Sequence, residues 1–144
     1  MSLRLTLCSA FALALAVAGC GGSKNASSSQ SAQPNGSGLV AKVEHAAAKV
    51  EGGSVVGTVT VTEGGKPGQA LALHYGLVDA VSGVRASQEE RLAAKYVTAK
   101  SISIKKVTVR FAKPTPTDYL VHFVLYGPDG SYLASSDSDV FTVH

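Results

Sequence analysis

Four histidines, His45, His74, His122 and His144, are the side chains best suited to metal ligation or proton transfer near neutral pH, and they are spread over a hundred residues. No two stand at a spacing that announces a metal site, and neighbouring Glu44 and His45 point apart on either a helix or a strand. Serines are plentiful, yet no G-x-S-x-G elbow occurs, nor any S-x-x-K with the companion motifs that would give it meaning. Asp129, Asp137 and Asp139 match no calcium-loop spacing and read as solvated turn and strand residues. No glycine-rich phosphate loop follows a strand and opens a helix. The expectation is therefore no catalytic residue, no metal ligand and no cofactor. The thiols are the remaining reactive groups. Cys8 and Cys20 are the only two cysteines, and both lie in the first twenty residues.

Their setting explains them. Arg4 is followed by an apolar run, Leu5 to Ala18, broken only by Thr6 and Ser9, and then by small residues. This is the layout of a secretory signal, too short to span a bilayer comfortably and closed by Gly19-Cys20-Gly21-Gly22. Val17-Ala18-Gly19-Cys20 resembles the lipobox of bacterial lipoproteins. That resemblance covers the first 20 residues. It implies cleavage between Gly19 and Cys20, a diacylglyceryl group on the Cys20 thiol, and a bilayer as the first partner. Two or three acyl chains, at about 0.8 kcal/mol per buried CH₂, anchor a protein stably where one chain does not. The implied location is a cell membrane, lipid-anchored and facing periplasm or exterior. Gly21 is not the aspartate that often retains such proteins at an inner membrane, so an outer membrane is favoured where the host has one. With Cys8 removed in the signal and Cys20 linked to lipid, no intramolecular disulfide is available.

Composition then divides the chain. It is 45% hydrophobic and 16% charged over 144 residues. Without residues 1–19 the remainder is about 41% apolar, an ordinary figure for one globular domain. Residues 20–38 hold the cysteine and a spacer, GGSKNASSSQSAQPNGSG, in which ten of eighteen residues are Gly or Ser. Such a stretch cannot bury enough surface to fold, and as a coil it spans about 24 Å. Residues 39–144 remain as the domain.

The domain reads as strands. Val55 to Thr62 (VVGTVTVT) alternates, Glu63-Gly64-Gly65-Lys66-Pro67-Gly68 breaks it, and Gln69 to Asp79 resumes with Leu71, Leu73, Tyr75 and Leu77 on one parity. Ile102 and Ile104 share one parity while Val107, Val109 and Phe111 share the other, which predicts a β-bulge near Lys105-Lys106. Asp118 to Tyr126 (DYLVHFVLY) is strongly β-forming, and Gly127-Pro128-Asp129-Gly130 signals a hairpin into 131–143. Two segments stay open. Residues 39–50 carry apolar residues at helical spacing and are either a short amphipathic helix or a first strand, in both cases an edge element. Ser87-Gln88-Glu89-Glu90 resembles a capping box, so 87–95 is either one short helix or a polar hairpin loop.

Short strands between Gly/Pro turns predict an all-β fold, a small antiparallel β-sandwich. The stretch Pro114-Thr115-Pro116-Thr117-Asp118-Tyr119-Leu120-Val121 resembles the corner that opens the penultimate strand of immunoglobulin-like domains. The resemblance implies that the Tyr119 hydroxyl bonds backbone a few residues upstream, that Val121 takes the place of a core cysteine, and that Leu71 or Leu73 is its partner. It implies a fold that hosts many functions and fixes no activity.

Two surfaces are candidates for binding. In 118–126, Tyr119, Val121, Phe123 and Leu125 are expected to face the core, leaving Leu120, His122, Val124 and Tyr126 on a second, largely apolar face. Either residues 39–50 cover that face or it meets a partner. Residues 85–113 carry eight Lys/Arg against two Glu, with Lys100, Lys105, Lys106 and Arg110 as the candidate basic patch, while 114–144 is net −4. That division suits an envelope protein or an anionic polymer, or else simply marks solvated strand positions. Nucleic acid is not expected, because no aromatic platforms interleave with the basic run. The functional expectation is a membrane-anchored binding module, with a structural or accessory subunit of an envelope complex as the alternative and an enzyme or metal carrier last.

Overall fold

A computed structural model describes residues 29–31, 38–84, 90–112 and 114–144. The expected signal peptide over residues 1–19 and the expected lipidation site Cys20 lie outside this part, as do Ser87, Gln88 and Glu89. The described residues form nine strands and no helix: β1 (Ser29–Ser31), β2 (Val40–Glu51), β3 (Ser54–Gly64), β4 (Ala70–Asp79), β5 (Arg91–Val97), β6 (Ser103–Phe111), β7 (Asp118–Tyr126), β8 (Tyr132–Asp137) and β9 (Phe141–Thr142). All pairings are antiparallel. One sheet has the order β2-β3-β6; the other has the order β1-β8-β7-β4-β5, with β9 continuing along β7.

Alternation along β3 and β7 builds the interior. Val55, Val59 and Val61 from the first sheet and Leu71, Leu73, Val121, Phe123 and Leu125 from the second join one core cluster, each at most 2% exposed. Burying a Val, Leu or Phe side chain is worth about 1.5–3 kcal/mol, so these two inner faces hold the sheets together. Tyr119 is buried at one end of β7, and its hydroxyl donates to the Thr115 carbonyl at 2.8 Å, the upstream bond expected for it. The 127–130 hairpin forms as read: the Gly127 amide donates to Ser131 O at 2.8 Å, and Gly130 takes a φ of 76°, where a side chain would be strained.

Four expectations need correction. Val121 has no partner in Leu71 or Leu73, because β4 belongs to its own sheet and sets Leu77 across from Val121. The residue meeting Val121 from the other sheet is Gly57, where an added Cβ would lie 3.1 Å from both Val121 Cγ1 and Val109 Cγ2. Next, β6 has no bulge at Lys105-Lys106. Its register against β3 is unbroken from Ser103 to Phe111, so Lys105 shares the inward parity of Val107, Val109 and Phe111, and Ile104 points outward, 71% exposed. An inward lysine is tolerated because its ammonium pairs with Glu63 at 3.1 Å and lies 4.7 Å above the Tyr96 ring.

Thirdly, Arg91–Val97 is a strand, so neither of the two readings of 87–95, a short helix or a polar hairpin loop, fits its described part from Arg91 on. Pairing of β5 with β4 along six positions overrides a local helical preference. Lastly, three residues of the supposed spacer, Ser29–Ser31, pair with β8. A sheet edge offers unpaired N–H and C=O groups, and main-chain bonds to it require no apolar side chain.

The undecided segment 39–50 is an edge strand. Its register against β3 shifts between Glu44 and Ala47, His45 adopts a φ of 55°, and Val43 and Ala46 are both buried. The bulge turns two residues three apart to the same face, which is why the apolar spacing imitates a helix.

Candidate functional site

The outer face of the larger sheet is where the structure gathers polar chemistry. Period-two alternation along β7 turns Leu120, His122, Val124 and Tyr126 away from the core, as expected. Register then sets their neighbours. Across from Tyr126, Val124, His122 and Leu120 stand Ala72, His74, Gly76 and Val78 of β4, while β8 places Ser135 beside Val124 and Asp137 beside His122.

Adjacent positions make pairs. His122 Nδ1 and Asp137 Oδ1 are bonded, each side chain about one-third exposed or less. The His74 ring meets Tyr126 edge-on, with centroids 5.2 Å apart and planes at 86°. Tyr126 donates its hydroxyl proton to Glu90 Oε2 at 2.9 Å. Val124 is only 3% exposed in the middle of this group, although it points away from the core. The face expected to be apolar is thus a mixed strip in which a histidine–carboxylate pair and a histidine–tyrosine–glutamate chain border one enclosed valine.

Residues 40–51 do not cover it. β2 lies in the other sheet, with Val43 and Ala46 packed into the shared core. Of the strip's members, the sequence presents His74 and Asp137 only as scattered metal-ligand candidates and Glu90 only as part of a capping box, none of them as part of this face. His74 carried one signal, its parity opposite to Leu71, Leu73, Tyr75 and Leu77; Glu90 and Asp137 became neighbours only through register. Among the described residues no group of three His, Cys, Asp or Glu stands close enough to hold a metal ion.

The candidate basic patch is divided. Lys106 and Arg110 face outward from the smaller sheet, Arg110 bonding Glu51 at 3.6 Å beside the Lys49–Glu51 pair at 2.6 Å. Lys105, one residue from Lys106, necessarily faces the other way. Lys100 lies in the β5–β6 loop. These four residues therefore present no common surface.

A second polar cluster is internal. Glu63 is 3% exposed, with Oε1 accepting from Lys105 Nζ at 3.1 Å, and among the described residues neither Glu63 Oε2 nor the Tyr96 hydroxyl has a hydrogen-bond partner. Burial, and then the nearby Glu63 carboxylate, push the Tyr96 hydroxyl above its ordinary pKa of 10.0. Thr98 closes the same end of the sandwich, accepting from the Gln69 amide at 3.0 Å and donating to the Lys66 carbonyl at 2.5 Å.

No protein-family model matches the chain, and no curated protein matches it. Among solved structures, it is similar to the alkylpurine DNA glycosylase AlkC of Pseudomonas fluorescens bound to DNA containing an abasic site analog. The identity is 14% and the TM-score 0.47, over 69% of this chain and 30% of that one. It is also similar to a putative ApaA protein from Bordetella pertussis, at 13% identity and a TM-score of 0.39, over 73% and 93% of the two chains. The chain thus spans less than a third of the glycosylase, and likeness of this degree transfers no activity.

Proposed function

We propose that this chain is a lipid-anchored protein of the bacterial cell envelope whose immunoglobulin-like β-sandwich binds another envelope component, without catalysis. The anchor rests on sequence: the apolar run ending in Val17-Ala18-Gly19-Cys20 has the arrangement from which Cys20 is acylated and held in a bilayer. The immunoglobulin-like reading is supported by the Tyr119–Thr115 corner bond and by the order β2-β3-β6 opposite β5-β4-β7-β8.

The observation that carries the binding role is the strip on the outer face of the larger sheet. Leu120, His122 and Tyr126 are neither buried nor fully exposed there. Side chains already positioned by neighbours lose little freedom on binding, and apolar groups bordered by polar ones suit a protein surface. The partner this favours is an envelope protein. A dispersed basic set makes an anionic polymer the weaker choice.

The test is photocrosslinking in living cells from positions 120, 122 and 126, with the outer face of the smaller sheet as control. Adducts confined to the first set support the reading; equal capture from both sheets overturns it. Recovery of a stoichiometric complex in a pull-down makes the chain a fixed subunit instead. The anchor is tested separately: Cys20→Ala should abolish lipid labelling, and mature-size protein that still carries label refutes it.

A further inference from the structure

The strand β1 pairs with β8 in the register Ser29 to Ser136, Gln30 to Ser135 and Ser31 to Ala134. Ser136 stands across from Phe123, and Phe123 across from Tyr75, so β1 begins about halfway along the larger sheet. Because β1 runs antiparallel to β8, its Ser29 end points toward the end that holds Asp137 and the Ala80–Val84 turn. Its Ser31 end points to the opposite end. There Val40 pairs with Gly64, and the Gly38 carbonyl packs so closely on Gly65 that a Cβ would lie 2.2 Å from its oxygen.

This gives the domain two attachment points at different places. With β1 paired, residues 21–28 alone separate Cys20 from the fold, a span of at most about 29 Å, and the attachment point is Ser29, whose end of β1 points toward the Ala80–Val84 end. With β1 unpaired, the first ladder residue is Val40, at the end holding the β3–β4 loop, and nineteen residues, 21–39, reach at most about 68 Å. Resting on the lipid-anchor reading, we infer that pairing of Ser29–Ser31 with β8 decides which end of the domain faces the membrane. Paired, the Ala80–Val84 end and the β8 edge are drawn down; unpaired, the end bearing Lys66 is nearest the anchor and the domain is inverted on a longer leash. Three residues held by main-chain bonds gain about as much as their ordering costs, so a small perturbation moves the balance. The outer face of the larger sheet changes its height and accessibility with it.

The experiment uses the lipidated chain in phosphatidylethanolamine–phosphatidylglycerol vesicles containing an acceptor-labelled lipid. A donor dye is attached through Val81→Cys at one end of the domain or Lys66→Cys at the other, each exposed. Both are compared with and without the pair Gln30→Pro and Ser31→Pro; adjacent residues point their N–H groups to opposite sides, so one of the two prolines removes a donor aimed at β8. Expected is stronger transfer from position 81 than from 66 in the parent, and the reverse order with the prolines. Amide exchange at those of Ala134–Ser136 whose N–H groups point to β1 should accelerate at least tenfold in the proline chain while that of Phe123 and Leu125 is unchanged. The same order of transfer in both backgrounds overturns the inference even if exchange accelerates, because pairing then does not set orientation. Unchanged exchange at β8 overturns it at its first step. A purified chain that carries no lipid mass and does not join vesicles refutes the anchor, and the orientation inference falls with it, while exchange still reads β1 pairing on its own.

Discussion

Removing the ammonium of Lys105 should cost the fold far more than its exposed position on a β-strand suggests. Lys105→Met keeps the stem that packs inward but leaves Glu63, 97% buried, with neither carboxylate oxygen bonded, since Oε2 already lacks a partner and Oε1 loses the contact at 3.1 Å. Breaking a fully buried ion pair costs about 3–5 kcal/mol, and an exposed one about 0–1. The Lys105 side chain is 44% exposed, so water screens one partner of this pair and the expected loss falls between, about 1.5–3 kcal/mol. For a domain near a hundred residues this is a fall in Tm of about 6–12 °C. The loss belongs to the orphaned charge, so adding Glu63→Gln to Lys105→Met should recover more than half of it, the neutral amide being cheaper to bury. Differential scanning calorimetry and urea unfolding at neutral pH, on both single variants and the double, complete the cycle. A change under 2 °C for Lys105→Met, or a double variant no more stable than that single one, refutes the reasoning.

Tyr96→Phe deletes a buried hydroxyl that has no partner, so stability at pH 7 should hold or rise by up to about 1 kcal/mol. The sign also holds in alkali. Tyr96 has its pKa raised in the fold, so its contribution is complete below pH 10.0 and is lost as pH climbs toward the folded value; urea midpoints at pH 9 and 11 should converge more in the phenylalanine variant than in the parent. Gly57→Ala should destabilise by about 1–3 kcal/mol in urea titrations, because the new methyl meets Val109 and Val121 at 3.1 Å and Phe123 at 3.3 Å inside the core. Asp79 accepts the Ser82 and Val81 amides, each at 2.9 Å, and these bonds hold its carboxyl below 3.8. Its contribution is present above the unfolded pKa and fades as pH falls through the lower, folded one, so an acid titration followed by circular dichroism should be flatter between pH 4 and 2 in Asp79→Ala.

Legibility followed burial. β3, β4 and β7 were readable because each presents a continuous apolar parity to the core, and the hairpin at 127–130 because Pro128 and Gly130 have few other uses. The Tyr119 bond was implied only by the resemblance of residues 114–121 to a known corner, and it forms to Thr115. What failed lies at the margins. In β6 the exposed Ile104 and inward Lys105 invert the usual assignment of faces, and hydropathy alone invoked a bulge to restore it. In β2 a true bulge at His45 gave a strand a helical spacing, which left its type open in the sequence. β5 is an edge whose Leu92 and Val97 stay exposed, so its pattern carries little of the core's imprint.

The candidate strip divides the same way. That Leu120, His122, Val124 and Tyr126 share a face follows from the two-residue period of any strand, and no tertiary knowledge was required. That His122 meets Asp137, that His74 meets Tyr126 and that Glu90 closes the chain depends on register between strands far apart in sequence. By itself the amino-acid order determined an all-β domain, the parity of its central strands and a hairpin, because each of these is set by residues within one short segment. Tertiary structure alone decided that β5 is an edge, that Gly57 rather than a leucine faces Val121, that a lysine turns inward to a buried glutamate, and that Ser29–Ser31 pairs with β8. Those outcomes turn on main-chain hydrogen bonds and sheet stacking between distant segments, and such pairing leaves no local pattern behind.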